Sequence, residues 1–361
     1  MNRHICVIKK AMVFFMTGPD DKFVNMAAGG FARPALTKSP RKGNGTVGPG
    51  SPAHPGRERA LIFSASRRTD IPAFFGGWFL ERLRRCDLAA RNPVNSRQIT
   101  HFKFNPADVE CIVFWTKNPA PFMNCLDELD ARGYNYYFQF TLTPYGHDIE
   151  QNIDKGNIID TFIRLSERIG GARVIWRYDP IIINDRYSVD FHVDRFCEMA
   201  RQLCGYTEKC VISFIDEYRF LSDVMRRHSI GEVSPPLIEA FVGQICPVVN
   251  ALPSTITLAT CCEKIDLAAY GVRHNACVDG ELVARITGVQ RKYRKDPSQR
   301  PLCGCVQSRD IGTYGTCRHN CVYCYAGRGT TRAVCDEESP LLCDTIDTVN
   351  DTVKIVDLRR E

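Results

Sequence analysis

Between residues 60 and 263, six short runs of β-branched and aromatic residues alternate with longer segments whose apolar residues recur every three or four positions. No other feature restricts the fold as much. The runs are Leu61 to Ala65, Cys111 to Trp115, Tyr136 to Leu142, Arg173 to Trp176, Cys210 to Phe214 and Thr255 to Ala259. The intervening segments include Ile158, Ile159, Phe162, Ile163, Ser166 and Ile169, then Val193, Phe196, Cys197, Ala200 and Leu203, each set forming one stripe of a helix. Strands that are apolar nearly throughout have both faces covered, so the pattern predicts a parallel sheet wrapped by helices. Six such units with no Gly-rich phosphate fingerprint predict an α/β fold of the (βα)6 type, a partial or closed barrel, in preference to a dinucleotide fold.

Ligands of such sheets bind beyond the carboxyl ends of the strands. There the chain places SASRRTD (Ser64 to Asp70), WTKNP (Trp115 to Pro119), TLTPYG (Thr141 to Gly146), WRYDP (Trp176 to Pro180), FID (Phe214 to Asp216) and ATCCE (Ala259 to Glu263). Five of the six carry a charged group, which predicts a polar site over the barrel mouth. Each residue also has an ordinary role open to it. Asp70, ahead of Ile71 and Pro72, suits a helix N-cap. Arg67 and Arg68, beside that helix start, suit either an anion cradle or pairing with neighbouring acids. Trp115 and Trp176 fit the core, and Arg177 and Asp179 fit a pair inside the barrel.

Composition matters for the flanks. Residues 1 to 59 hold ten Lys or Arg against three acids, a charge of +7 in a chain whose formal net charge is +6, so the remaining 302 residues carry −1. Most of that stretch, as in GNGTVGPGSPAHPG, lacks any period and cannot bury enough apolar surface to offset ordering entropy. A disordered basic leader is expected over 1–59, with a nucleic-acid-binding arm as its less favoured role. The apolar AMVFFM near its start is short and no small-residue cleavage site follows it, so export is not expected. No run approaches the roughly 18 apolar residues of a membrane span, and a cytoplasmic location is expected. The barrel core is assigned to 60–263, a cysteine-rich segment to 264–330 and a tail to 331–361. The stretch from Glu217 to Pro236, with Arg219, Arg226, Arg227 and His228, interrupts the alternation and is expected to form a lid over the mouth.

Ten of the 18 cysteines lie from residue 261 onward. Within them CRHNCVYCYA, Cys317 to Ala326, has C-x3-C-x2-C spacing, which lets three thiolates converge on one soft metal centre. A structural zinc takes four protein ligands, so three close cysteines suit a 4Fe-4S cluster with one iron left open; His319 as a fourth ligand keeps zinc in contention. Cys261, Cys277, Cys303 and Cys305 supply four further thiols, with Gly304 allowing a tight turn and Cys262 as the alternate to Cys261. They fit an auxiliary iron–sulfur cluster or a structural zinc. Cys335 and Cys343 receive no role, and the eight remaining cysteines behave as scattered small hydrophobes.

With Tyr323 just before its third cysteine, the motif resembles the cluster motif of the radical SAM superfamily. The resemblance implies that Cys317, Cys321 and Cys324 hold a 4Fe-4S cluster whose open iron is chelated by the amino and carboxylate groups of S-adenosylmethionine, with Tyr323 near the adenine. It implies reductive cleavage to a 5′-deoxyadenosyl radical, hydrogen abstraction from an unidentified substrate, and an electron donor such as flavodoxin or ferredoxin. On that basis Arg67, Arg68, Lys117 and Arg177 are the expected contacts of an anionic group, Asp179, Asp216 and Glu263 those of ribose hydroxyls or an amino group, and Asp70 a further site residue. More closely, residues 61 to 326, with SASRRTDIPAF, FWTKNP, FQFTLTPYG, VIWRYDP, EKCVISFID and CRHNCVYCYA, are similar to a bacterial family of unknown function whose members end in a radical-SAM-like cysteine triad. One departure affects the fold. The superfamily's triad follows the first barrel strand, whereas here it follows the sixth, so either the chain is permuted or the cysteine loop returns to cap the mouth.

The competing class is a non-enzymatic cysteine-rich protein, holding zinc or an iron–sulfur cluster and contacting nucleic acid through the basic leader. It accounts for the thiols but not for polar residues after every strand. CVYCY is also similar to radical SAM enzymes that repair DNA photolesions, yet the slightly acidic body gives a nucleic-acid substrate no electrostatic support.

Overall fold

All six expected strands form. In the computed structural model, which describes residues 61–327 and 335–360, the chain opens with β1 (Leu61–Ala65), α1 (Ile71–Phe74), α2 (Gly76–Arg85), β2 (Asp87–Arg91), β3 (Gln98–Lys103) and β4 (Val109–Thr116). It continues through α3 (Leu126–Ala131), β5 (Tyr136–Thr141), α4 (Ile158–Ile169), β6 (Val174–Ile181), α5 (Val189–Leu203) and β7 (Lys209–Phe214). The later elements are α6 (Ser222–Arg227), α7 (Pro235–Asn250), β8 (Thr257–Thr260), β9 (Arg273–His274), α8 (Gly280–Thr287), β10 (Arg309–Asp310) and β11 (Thr352–Asp357). The leader expected over 1–59 lies outside the described residues.

One sheet of eight strands runs β10-β1-β4-β5-β6-β7-β8-β9, and every pairing in it is parallel. The central strands β4 to β7 are buried on both faces, as their apolar runs require. No ladder joins β10 to β9 among the described residues, so the fold is α/β with a large parallel sheet. One face, with Phe63, Phe114, Phe138, Trp176, Ile212 and their neighbours, packs under the helices. The alternate residues Ile62, Val113, Tyr137, Ile175 and Val211 face the other way, against Cys277, Val278, Leu282, Val283, Cys303 and Cys305. The segment from 277 to 305, with α8, thus fills the side that would be the inside of a barrel.

Residues 264–330 therefore contribute β9, β10 and α8 to the main body. A second sheet, β11-β3-β2, pairs β11 parallel to β3 and β2 antiparallel to it, so part of the expected tail is a strand. On α4 the buried stripe runs through Ile158, Thr161, Phe162, Leu165 and Ser166, with Ile159 and Ile163 at its edge. In the stretch expected as a lid, Met225, Ile230 and Val233 are buried in the main core, and Asn184 donates to the His228 carbonyl at 3.2 Å.

Candidate functional site

The cysteine loop returns to the carboxyl ends of β1, β4 and β5. Asp310, on β10, starts this return. Its carboxylate accepts from Ser64 Oγ (3.1 Å), Ser66 Oγ (2.6 Å) and the Arg67 amide (2.8 Å), fixing the loop after β1. A Cβ on Gly312 would overlap the Ser66 side chain, so glycine allows the two segments to meet. Farther on, Val322 N donates to Ile149 O (3.0 Å), Asn152 N to His319 O (3.1 Å), and the Tyr325 hydroxyl to Arg67 O (3.1 Å). Asp70 is the junction. Its side chain caps α1 through Ala73 N (2.9 Å), accepts from Lys117 N (2.7 Å), and meets His319 Nε2 (2.8 Å). The expected capping role is present, together with two contacts that capping does not require.

Beneath the loop lies a charge cluster centred on Glu150, which sequence inspection did not single out. The Glu150 carboxylate accepts from Lys117 Nζ (2.7 Å), Thr143 Oγ1 (2.8 Å) and the Tyr323 hydroxyl (2.5 Å), and pairs with Lys155. Burial pushes its pKa up, but the Lys117 and Lys155 ammonium groups outweigh that and hold it at about 2. One carboxylate between two ammonium groups puts positive charge beside Cys321 and Cys324, while the Asp70 carboxylate lies near Cys317 and adds to burial in raising its thiol. The Lys117 ammonium also lies over the Tyr323 ring, 5.6 Å from its centre.

Cys317, Cys321 and Cys324 are partly buried and feel one another's charge, but no sulfur–sulfur hydrogen bond joins them. Burial raises all three thiols, Cys317 to about 12, while Lys117 acts in the opposite sense on Cys321 and Cys324. As donor chemistry, three cysteine sulfurs suit a soft metal centre. Among the described residues, no group of three or more His, Cys, Asp or Glu side chains is arranged to hold a metal ion as it stands. His319 keeps its Nε2 on Asp70, and its Nδ1 is buried without a hydrogen-bond partner.

The other expected thiols also meet. Cys261 Sγ lies 3.5 Å from Cys277 Sγ, and Cys262, Cys303 and Cys305 pack in the same cluster, near enough for the five thiols to influence one another's proton affinity. Arg177 is buried beside them, donating from Nη1 to Cys277 Sγ (2.9 Å) and to Gln139 Oε1 (3.3 Å) and pairing through Nη2 with Asp179. The Trp115 ring lies 5.1 Å from the Arg177 guanidinium and 5.0 Å from that of Arg67, so two cations share one aromatic ring. Arg67 Nη2 is buried with no hydrogen-bond partner.

Several expected site residues have partners within the chain. Arg68 donates to the carbonyls of Arg91 and Gly312 (3.4 and 3.3 Å), pairs with Asp310 at 3.7 Å and stacks on Tyr314, which makes it a clamp between two loops. Asp216 pairs with Arg300 (2.6 Å) at a half-exposed rim. Asp179 is held by Arg177 and Ser213. Glu263 accepts from Phe214 N (2.9 Å), and burial pushes it up to about 7. Cys335 and Cys343, assigned no role, are joined as a disulfide. Among the described residues, no helix is long and apolar enough to cross a membrane.

Glu150 and Asp310 were missed because nothing local marks them. Each is a single acid with partners in other segments, Glu150 meeting Lys117 and Tyr323 as well as the nearby Thr143 and Lys155, and Asp310 meeting residues more than 240 positions away.

No curated protein and no solved structure matches the chain. The model of a family described as a domain of unknown function, DUF1848, matches residues 62–326, most of the described body, and the chain belongs to that family.

Proposed function

We propose that the protein is a radical SAM enzyme, in which Cys317, Cys321 and Cys324 hold a 4Fe-4S cluster that binds S-adenosylmethionine. The observation that carries this reading is the return of the triad to the carboxyl ends of β1, β4 and β5, where Asp70 bonds His319 and the buried Glu150 pairs with Lys117 and Lys155 beside Cys321 and Cys324. When bound, the cluster and S-adenosylmethionine would supply reductive carbon–sulfur cleavage and a 5′-deoxyadenosyl radical for hydrogen abstraction. The chain's own residues do the rest. Lys117 and Lys155 offset the negative charge of the thiolates, and Glu150 holds both ammonium groups and the Tyr323 hydroxyl in place. Tyr323 and Tyr325 help to wall the loop from water, Tyr325 packing against Tyr218 at 5.6 Å. Arg67, with a free Nη2, is the contact for a carboxylate of S-adenosylmethionine or substrate. Its partner is a low-potential electron donor of the flavodoxin or ferredoxin class.

A second reading, a zinc protein with a Cys3His centre, draws on the unpartnered Nδ1 of His319, since a histidine oriented by a carboxylate is a common metal ligand. Anaerobic reconstitution followed by iron, sulfide and zinc analysis separates the two. Equal iron and sulfide, with 5′-deoxyadenosine formed on adding S-adenosylmethionine and dithionite, supports the enzyme. Bound zinc lost on His319→Ala, without iron, supports the alternative.

A further inference from the structure

Five thiols packed together are a second concentration of chemistry in the molecule, separate from the triad. Three distant segments bring them together: the end of β8 supplies Cys261 and Cys262, the residues before α8 supply Cys277, and the Cys303-Gly304-Cys305 turn supplies the rest. A Cβ on Gly304 would lie 3.1 Å from Asn275 O and 3.3 Å from Ala276 Cβ, so any side chain there would press those neighbours back by a few tenths of an ångström. Three N–H donors are aimed at these sulfurs. Arg177 Nη1 and Asn275 Nδ2 donate to Cys277 Sγ at 2.9 and 3.2 Å, and Val278 N donates to Cys305 Sγ at 3.3 Å.

A neutral thiol is a weak acceptor, whereas a thiolate bound to metal commonly takes such N–H bonds from its surroundings. Buried apolar packing needs neither the guanidinium nor the amide. The charge agrees. Four thiolates around a dication, or around an oxidised iron–sulfur cubane, carry a net charge of about −2, and two buried guanidiniums, Arg67 and the Asp179-paired Arg177, flank these thiols across Trp115 and offset part of it. As they stand only Cys261 and Cys277, at 3.5 Å, share a sulfur–sulfur hydrogen bond, and no group among the described residues is arranged around a common point, so binding draws the four thiols inward.

We propose that Cys261, Cys277, Cys303 and Cys305 form a second, four-thiolate metal centre that pins the 277–305 segment to the inner face of the sheet. This does not depend on the triad. The test uses the full chain with Cys317, Cys321 and Cys324 all changed to Ala, purified anaerobically and loaded either with zinc or with iron and sulfide. One centre per chain is expected, and loss of at least tenfold in its occupancy in Cys277→Ser and Cys303→Ser. Retention of zinc alone assigns a single ion; retention of iron with sulfide assigns an auxiliary cluster. Should those variants fail to fold, alkylation of the parent chain read by mass spectrometry gives the same information, because these four thiols should resist labelling until a chelator is added. No bound metal in the triad-free chain, occupancy unchanged by Cys277→Ser and Cys303→Ser, or labelling indifferent to chelator would overturn the proposal.

Discussion

At the scale of single residues, Asp70 and Glu150 hold the cysteine loop in place. Asp70 was legible as a cap from its position before Ile71 and Pro72, but its bond to His319, 249 positions away, was not. The two roles differ in cost. Losing a cap alone costs about 1 kcal/mol, whereas losing the cap and two further buried bonds costs about 3 kcal/mol. Asp70→Ala should therefore lower stability in urea by the larger figure and reduce iron retention after reconstitution; a loss near 1 kcal/mol with iron unchanged would confine Asp70 to capping. Glu150→Gln leaves Lys117 and Lys155 buried without an anion. A loss of about 3–5 kcal/mol is expected in thermal or urea unfolding, as for other buried pairs broken on one side.

At the scale of elements, what could be read from sequence followed the length of the repeating pattern. β1, β4, β5, β6, β7 and β8 were visible because each is a continuous apolar run between helices. β9 and β10 have two residues each, too few to carry any period. β2 reads DLAAR, whose alanines favour a helix, and its pairing with β3 overrides that preference. On α5 the stripe was legible, but not that its first turn carries a fully buried polar residue. His192 shares a hydrogen bond with the Tyr178 hydroxyl through Nδ1 (2.8 Å) and with Ile182 O through Nε2 (2.8 Å). Burial lowers its pKa to about 4. Below the ordinary value near 6.5 the unfolded chain takes up a proton that the folded chain refuses, so this stabilisation is complete above that value and is lost as pH falls toward 4. The lowered value corresponds to about 3 kcal/mol. The expected result is a His192 imidazole still neutral at pH 5 by NMR, and a melting temperature whose decline between pH 6.5 and 4 is shallower in His192→Gln.

At the scale of the whole molecule, the return of distant segments to the start of the sheet is what sequence could least disclose. Asp310 docks on the loop after β1, β11 pairs with β3, and Pro340 O accepts from Ala89 N at 2.8 Å. In the same region Trp78 Nε1 donates to Ser339 O (2.9 Å) and Arg82 Nη2 to Glu337 O (2.9 Å). Removing residues 335–361 should therefore expose the edge of β3 and the buried Trp78 and Arg82, lowering the melting temperature and raising aggregation in light scattering. The spacing of the triad was plain from sequence, but its seat over β1, β4 and β5 depended on contacts across the full length of the chain. The central claim is that this seat supports cleavage of S-adenosylmethionine, and the most direct measurement is 5′-deoxyadenosine released by the reconstituted chain after dithionite is added. Release with methionine in equal amount, abolished in Cys321→Ala, is predicted; a fully loaded iron–sulfur cluster that releases none would contradict it.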